Sequence, residues 1–114
     1  MPGAVPGHPI ADDARFALES DLVLLAMGFD GVERGPLVDA LGLELTSAGT
    51  IAVDAGWATS APGIYACGDA TRGASLVGWA IADGRSCAAA VHTGLTGERT
   101  LPNPVAPDDR PLTR

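Results

Sequence analysis

The stretch from Gly63 to Val91, GIYACGDATRGASLVGWAIADGRSCAAAV, constrains the fold more than any other. Gly63-Ile64-Tyr65-Ala66-Cys67 is a short apolar run opening after Pro62, which suits a buried strand. Gly68-Asp69 stops the run and starts a loop, and a long helix rich in small residues follows from Ser75 to Thr93. A strand, a Gly-Asp exit and a helix N-terminus in this order build a ligand site in α/β proteins, beyond the carboxyl end of the strand. Gly68 has no Cβ, so a ligand can lie on its backbone. Asp69 supplies carboxylate acceptors for sugar or polyol hydroxyls and an N–H for a phosphate oxygen. Ser75 is expected to cap the helix, leaving the N–H groups of Leu76 and Val77 free for a group carrying negative charge.

Upstream, Asp21 introduces Leu22-Val23-Leu24-Leu25-Ala26-Met27, a continuous apolar run that reads as a strand covered on both faces in a parallel sheet. Gly28-Phe29-Asp30-Gly31 ends it. From the residues alone, Gly28 is either a simple strand-ending turn or a point where backbone approaches a ligand. Ala14 to Leu18 is a possible short strand. Pro36 to Leu41 is expected as a short helix, with proline in its first turn and Gly42 past its end. Leu43 to Val53 reads as a hairpin turning at Thr46-Ser47-Ala48-Gly49. Thr59 is expected to bond local backbone.

In the long helix, Val77, Ala80, Ile81, Gly84, Cys87, Ala88 and Val91 recur at helical spacing and are expected to form the buried stripe. Gly84 costs on the order of 1 kcal/mol in helix propensity, which a close packing contact would explain. Asp83 and Arg85 read as ordinary solvated charges. Trp79 lies off the stripe, where it can cover the ligand loop or join a partner surface. Gly94 and Gly97 are expected to end the helix.

Two motifs together carry a resemblance. Residues 58–85, ATSAPGIYACGDATRGASLVGWAIADGR, and residues 21–31, DLVLLAMGFDG, resemble the C-terminal flavin-binding segment of the glutamate synthase small (beta) subunit. That family lies within the FAD- and NAD(P)H-dependent oxidoreductases with two dinucleotide-binding domains. The resemblance runs from about Ala17 to Gly97. It implies an α/β fold: a partial Rossmann-like domain with a short, mostly parallel sheet, one long packed helix and a β-hairpin. It also implies FAD as cofactor, with Gly68 and Asp69 at the ribityl and pyrophosphate region. Ser75, Leu76 and Val77 would lie at the pyrimidine edge, and Gly28 on the flavin side. No residue is implied as general acid, base or nucleophile. The family commonly carries a longer polar residue where Ala74 stands and a branched one where Gly78 stands.

A dinucleotide-binding unit opens with strand, GxGxxG turn and helix, because the pyrophosphate rests on that helix N-terminus. This sequence contains no Gly-x-Gly. NAD(P)H is therefore expected only in a complete enzyme, and the chain alone is expected to be inactive. Two readings follow: the C-terminal portion of a flavin oxidoreductase passing electrons from NAD(P)H to FAD, or a non-catalytic interaction or structural module that keeps the scaffold. The expected partners are a second copy or the N-terminal portion of the enzyme.

Composition narrows the rest. All seven basic residues are Arg, which rules out lysine-dependent phosphate loops and Schiff-base chemistry. A formal net charge of −7 argues against nucleic acid and anionic membrane surfaces as partners. No apolar run reaches membrane-spanning length, and a cytoplasmic location is expected. Cys67 and Cys87 are too far apart in sequence for a CxxC motif and read as buried free thiols. His8 and His92 have no companions, so no metal site is expected. Residues 1–13 and 98–114 read as a flexible arm and a flexible, Pro-rich tail around a domain at 14–97.

Overall fold

The computed structural model describes residues 16–110. The expected arm at 1–13 and the last four residues of the tail lie outside them, as does the beginning of the possible strand at 14–18.

Small residues with good helix propensity give the longest element, α3, Val77–Thr96. It begins two residues later than expected and runs through Gly94 to a left-handed Gly97, whose N–H bonds the Thr93 carbonyl at 2.8 Å. Gly94 is kept inside the helix by a close approach: a Cβ there would sit 3.1 Å from the Tyr65 hydroxyl. Two shorter helices precede it, α1 at Pro36–Leu41 and α2 at Asp69–Arg72. Helix α1 has proline in its first turn and closes on Gly42 at φ 63°, as the sequence predicts.

The extended segments pair sparingly. Leu45 and Ile51 form one antiparallel bridge, and the Thr46 N–H to Thr50 carbonyl bond at 2.7 Å closes the expected hairpin turn. Ala58 and Tyr65 form the other bridge, also antiparallel. The strand expected at Ile64–Cys67 therefore folds back on Trp57–Thr59 instead of joining a parallel neighbour. The expected short, mostly parallel sheet is not found among the described residues. The same holds for Leu22–Met27: Leu22, Val23, Leu24, Leu25, Met27 and Phe29 are 72% to 87% exposed. A run apolar on both faces needs covering elements on both, and no strand pairs with it among the described residues.

Buried side chains cluster around Trp57, Thr50, Asp83, Ser86, Cys87 and Ala89. Trp57 adopts φ 65°, unusual for a bulky residue. The Asp54 carboxylate holds its turn by accepting the N–H groups of Gly56 (2.8 Å) and Ala58 (3.0 Å). Thr59 bonds local backbone as expected, donating its hydroxyl to the Ile64 carbonyl at 2.8 Å.

The predicted stripe holds only in part: Cys87 is buried and Ala80, Gly84 and Val91 are half-buried, but the buried face of α3 turns away from the rest. Val77, Ile81 and Ala88 are exposed, while Asp83, Ser86, Cys87 and Ala89 are buried. A Cβ at Gly84 would meet nothing within 4 Å, so the expected close contact is not made here. Asp83, expected as a solvated charge, is 0% exposed. Polar anchors turn the helix: Asp83 meets Arg72, and Ser86 accepts the Val105 N–H at 3.0 Å. The tail segment 105–109 is thereby docked along α3, though it has no helix or strand of its own. No helix among the described residues is long and apolar enough to cross a membrane.

Candidate functional site

Gly68, buried at φ 71°, turns the chain out of the Tyr65–Cys67 segment into α2. Its carbonyl accepts the N–H groups of Thr71 (3.0 Å) and Arg72 (2.9 Å) and the Thr71 hydroxyl (3.0 Å). Gly73, at φ 86°, closes the turn by donating its N–H to the Asp69 carbonyl at 2.9 Å. The loop is therefore a fixed object, built by two glycines in conformations that a side chain would strain.

Asp69 meets Ser75. Its Oδ1 accepts the Ser75 hydroxyl at 2.9 Å and the Ser75 N–H at 3.3 Å. The expected capping role of Ser75 is thus corrected: its hydroxyl goes to Asp69, and Leu76 occupies the N-cap of α3 with no side-chain cap. The Leu76 carbonyl accepts the N–H groups of Trp79 (2.9 Å) and Ala80 (3.2 Å). That leaves the N–H groups of Val77 and Gly78 as the ones at the start of α3 with no intrahelical carbonyl in reach. The side chains of Leu76 and Val77 are exposed.

The turn after Leu22–Met27 reaches this loop through the hairpin. The Val32 N–H donates to the Gly49 carbonyl at 3.0 Å, and the Ile51 N–H donates to the Ala70 carbonyl at 2.7 Å. Gly31 touches the Gly49 carbonyl so closely that a Cβ would lie 2.5 Å from its oxygen. A pocket of about 350 Å³ opens between them, lined by Phe29, Gly31, Val32, Glu33, Asp69, Ala70, Gly73 and Ala74. Its ionisable liners, Glu33 and Asp69, are both carboxylates. Of the predicted residues, the structure brings Gly68, Asp69 and Ser75 together. Leu76 and Val77 stand just beyond at the start of α3. Gly28, at φ 74°, lies next to the liner Phe29 without lining the pocket itself.

The sequence reading missed Arg72. Its guanidinium grips Asp83 with two bonds, Nε to Oδ2 at 2.9 Å and Nη2 to Oδ1 at 2.7 Å. Nη2 also donates to the Ala106 carbonyl at 3.2 Å, and Nη1 donates to the Asp109 carbonyl. The group lies 4.7 Å over the Trp79 ring. The hydrogen bond to Asp83 raises the Arg72 pKa further, against the opposing effect of burial. Arg72 ends α2 and Asp83 lies on α3 with a loop between them, so helical spacing along one element offers no signal for the pair.

A larger cavity, about 460 Å³, lies toward the other end of α3 between Trp57, Tyr65, Thr93, Arg99 and Asn103, and none of the predicted site residues lines it. Cys67 and Cys87 are free thiols; Cys87 is buried as expected, while Cys67 is only half-buried. Burial, and then the neighbouring Cys67 sulfur, push the Cys87 thiol up to about 11. No cluster of three metal-ligating side chains occurs among the described residues.

Comparison with known proteins places the chain in a family. The family model for pyridine nucleotide-disulphide oxidoreductases matches residues 9–84, more than half of the chain. The glutamate synthase (NADPH) small chain of Mycobacterium tuberculosis strain H37Rv is 52% identical over 97 residues, covering 85% of this chain and 20% of that protein. That of Azospirillum brasilense is 37% identical over 98 residues, again 85% of this chain and 20% of the relative. The glutamate synthase (NADH) of Schizosaccharomyces pombe is 42% identical over 87 residues, covering 73% of this chain and 4% of that protein. The chain thus spans about a fifth of the length of the small chains that it matches. No solved structure matches it.

Proposed function

The chain belongs to the pyridine nucleotide-disulphide oxidoreductase family, and we propose that it is the flavin-facing C-terminal portion of a glutamate synthase small-subunit-like oxidoreductase. Family membership implies a Rossmann-like FAD/NAD(P) fold and the use of flavin and NAD(P)H. The finer reading is electron transfer from NAD(P)H to FAD in a complete enzyme, with this chain inactive alone. One observation carries it: the segment after Leu22–Met27 and the Gly68–Ser75 loop, far apart in sequence, converge on one pocket.

The pocket's chemistry fits part of a flavin dinucleotide. Its volume is at the lower end of the range for ligand pockets, about 300–1,000 Å³, so it suits one moiety of FAD. Two carboxylates and no lining cation favour hydroxyl donors over phosphate. That assigns Asp69 and Glu33 to a polyol such as the ribityl chain. Gly68 offers its backbone, and the N–H groups at the start of α3 offer positive potential for the pyrimidine edge. Ser75 fixes the Asp69 carboxylate through Oδ1, leaving Oδ2 without a partner among the described residues. When bound, flavin accepts and passes on electrons; the chain's residues bind and orient it. The proposed cofactors are FAD and, in the complete enzyme, NAD(P)H.

The exposed Leu22–Phe29 segment and the Val77–Ile81 face support the proposal of a partner, either the remaining portion of the reductase or a second copy. A non-catalytic interaction module is the second reading, and the same exposed surface favours it. A cytoplasmic location accompanies both.

Complementation tests the first reading. The chain is co-expressed with a glutamate synthase small chain from which the matching C-terminal segment has been removed. Co-purification with flavin absorbance and NAD(P)H oxidation is the expected result. A complex without flavin would favour the module reading, and no complex would refute the reductase reading.

A further inference from the structure

The C-terminal segment Val105–Asp109 reaches the candidate cofactor loop through one side chain. Arg72 is the last residue of α2, and its side chain is 5% exposed. Its fork bonds Asp83 on α3 twice, and its remaining donors reach the Ala106 and Asp109 carbonyls. A buried guanidinium is tolerated only when its donors are engaged in this way.

The tail is shaped to present those carbonyls. The Asp109 carboxylate accepts the Ala106 N–H at 2.9 Å, and the Asp109 N–H returns to the Ala106 carbonyl at 3.1 Å. This closes a turn with both carbonyls directed at Arg72. Ser86, 1% exposed, holds the segment at its other end through the Val105 N–H. Asp69, which lines the pocket, lies within the same single turn as Arg72, so the two cannot move independently.

We propose that Arg72 is a positioning residue for the Asp69 loop, and that segment 105–109 is a strap whose docking on Arg72 and Ser86 sets the conformation of the pocket wall. The proposal deepens the cofactor reading above and rests on it for the identity of the pocket's ligand. The strap acts by completing the donor set of Arg72, so loosening it frees α2 while the hairpin wall opposite stays in place. Lysine cannot replace Arg72, because a single ammonium cannot reach the carboxylate and both carbonyls with fork geometry.

The test reads amide exchange by NMR in the full chain, free of ligand. Asp109→Ala removes the carboxylate that closes the tail turn, and Ser86→Ala removes the hook at Val105. Each variant is expected to speed exchange of the Thr71, Arg72 and Gly73 N–H groups about fivefold, the equivalent of one hydrogen bond. The Thr46 and Ala52 N–H groups of the hairpin should keep their parent rates. Arg72→Lys should reproduce the α2 effect with the charge retained. Unchanged α2 exchange in Asp109→Ala and Ser86→Ala overturns the strap. Equal acceleration of α2 and hairpin also overturns it, since that marks a general loss of stability. FAD titration of the parent chain combined with the remainder of a glutamate synthase small chain reads the cofactor separately. The local exchange pattern without any flavin spectrum keeps the strap and removes the cofactor reading.

Discussion

Arg72 and Asp83 form a two-pronged ion pair in which the carboxylate is wholly buried and the guanidinium nearly so. Removing Asp83 leaves the Arg72 guanidinium without a counter-charge in a buried position, held only by two backbone carbonyls and the Trp79 ring. Asp83→Ala is therefore expected to destabilise the chain by about 3–5 kcal/mol. Arg85→Ala, two residues along on the exposed side, should change stability by no more than about 0.5 kcal/mol. Urea unfolding of the two variants beside the parent measures both. Similar midpoints for all three would show that the pair contributes nothing.

Gly84 sits in α3 with open space where its Cβ would be. Gly84→Ala should therefore stabilise the isolated chain by about 0.5–1 kcal/mol through helix propensity and the unfolded state. Gly94→Ala should do the opposite, because its Cβ would press on the Tyr65 hydroxyl at 3.1 Å. If the remainder of a reductase packs on the Val77–Ile81 face, Gly84→Ala should weaken that assembly while stabilising the chain alone. Thermal melts and co-purification report the two effects separately.

Cys87 titrates well above an ordinary thiol, at about 11, because burial opposes its thiolate. Its folded pKa exceeds the unfolded value of 9.0, so its contribution to stability is full below pH 9 and is lost between pH 9 and about 11. At pH 8 it should stay protonated and react with iodoacetamide at least tenfold more slowly than in the urea-unfolded chain. Mass spectrometry of the peptide carrying Cys87 gives both rates. Equal rates would mean that the helix face opens freely.

Asp69 is the one carboxylate at the exit of the Tyr65–Cys67 segment. In a flavin-bound assembly, Asp69→Ala is expected to lower flavin occupancy about tenfold, in keeping with loss of a charge-assisted hydrogen bond of about 1.5–3 kcal/mol. Asp39→Ala on exposed α1 should leave it unchanged. Asp83 cannot serve as the control, since its loss would unfold the loop's support. Equal occupancy in the Asp69 and Asp39 variants would take Asp69 out of the site.

Local rules made parts of this fold legible. Pro36 and Gly42 bound α1, the small residues at 46–49 turn the hairpin, and Gly68-Asp69 ends the Tyr65–Cys67 segment and opens α2. Those signals act over a few residues, and the surroundings cannot cancel them. The α3 stripe misled because Val77, Ile81 and Ala88 are apolar at helical spacing, and the period says nothing about whether a partner is present. Arg72 with Asp83, and the docked tail, went unread for another reason. Their energy comes from a buried charge meeting donors and carbonyls from distant segments, which no periodicity encodes. Glu33 and Phe29 were reachable only in part: Gly28-Phe29-Asp30-Gly31 marked the approach, but only the Val32–Gly49 contact brings Glu33 to the pocket.

Self-association is the last expectation. Six large apolar side chains between Leu22 and Phe29 stand at least 72% exposed, and Val77 and Ile81 extend the apolar surface on α3. Isolated exposed residues of this kind are ordinary, but a continuous run is a contact surface. The backbone of Leu22–Met27 forms no helix and joins no ladder among the described residues, so its N–H and C=O groups are open to pairing with the same segment of another copy. A twofold contact through that segment would be closed, burying apolar side chains and satisfying both backbones together. Sedimentation velocity at micromolar concentration is expected to show a dimer or larger species. Leu24→Lys, which places a charge in the middle of the run, should shift the chain toward monomer without lowering its melting temperature. A parent chain that sediments as a clean monomer would sink the expectation and leave the second copy out of the list of partners.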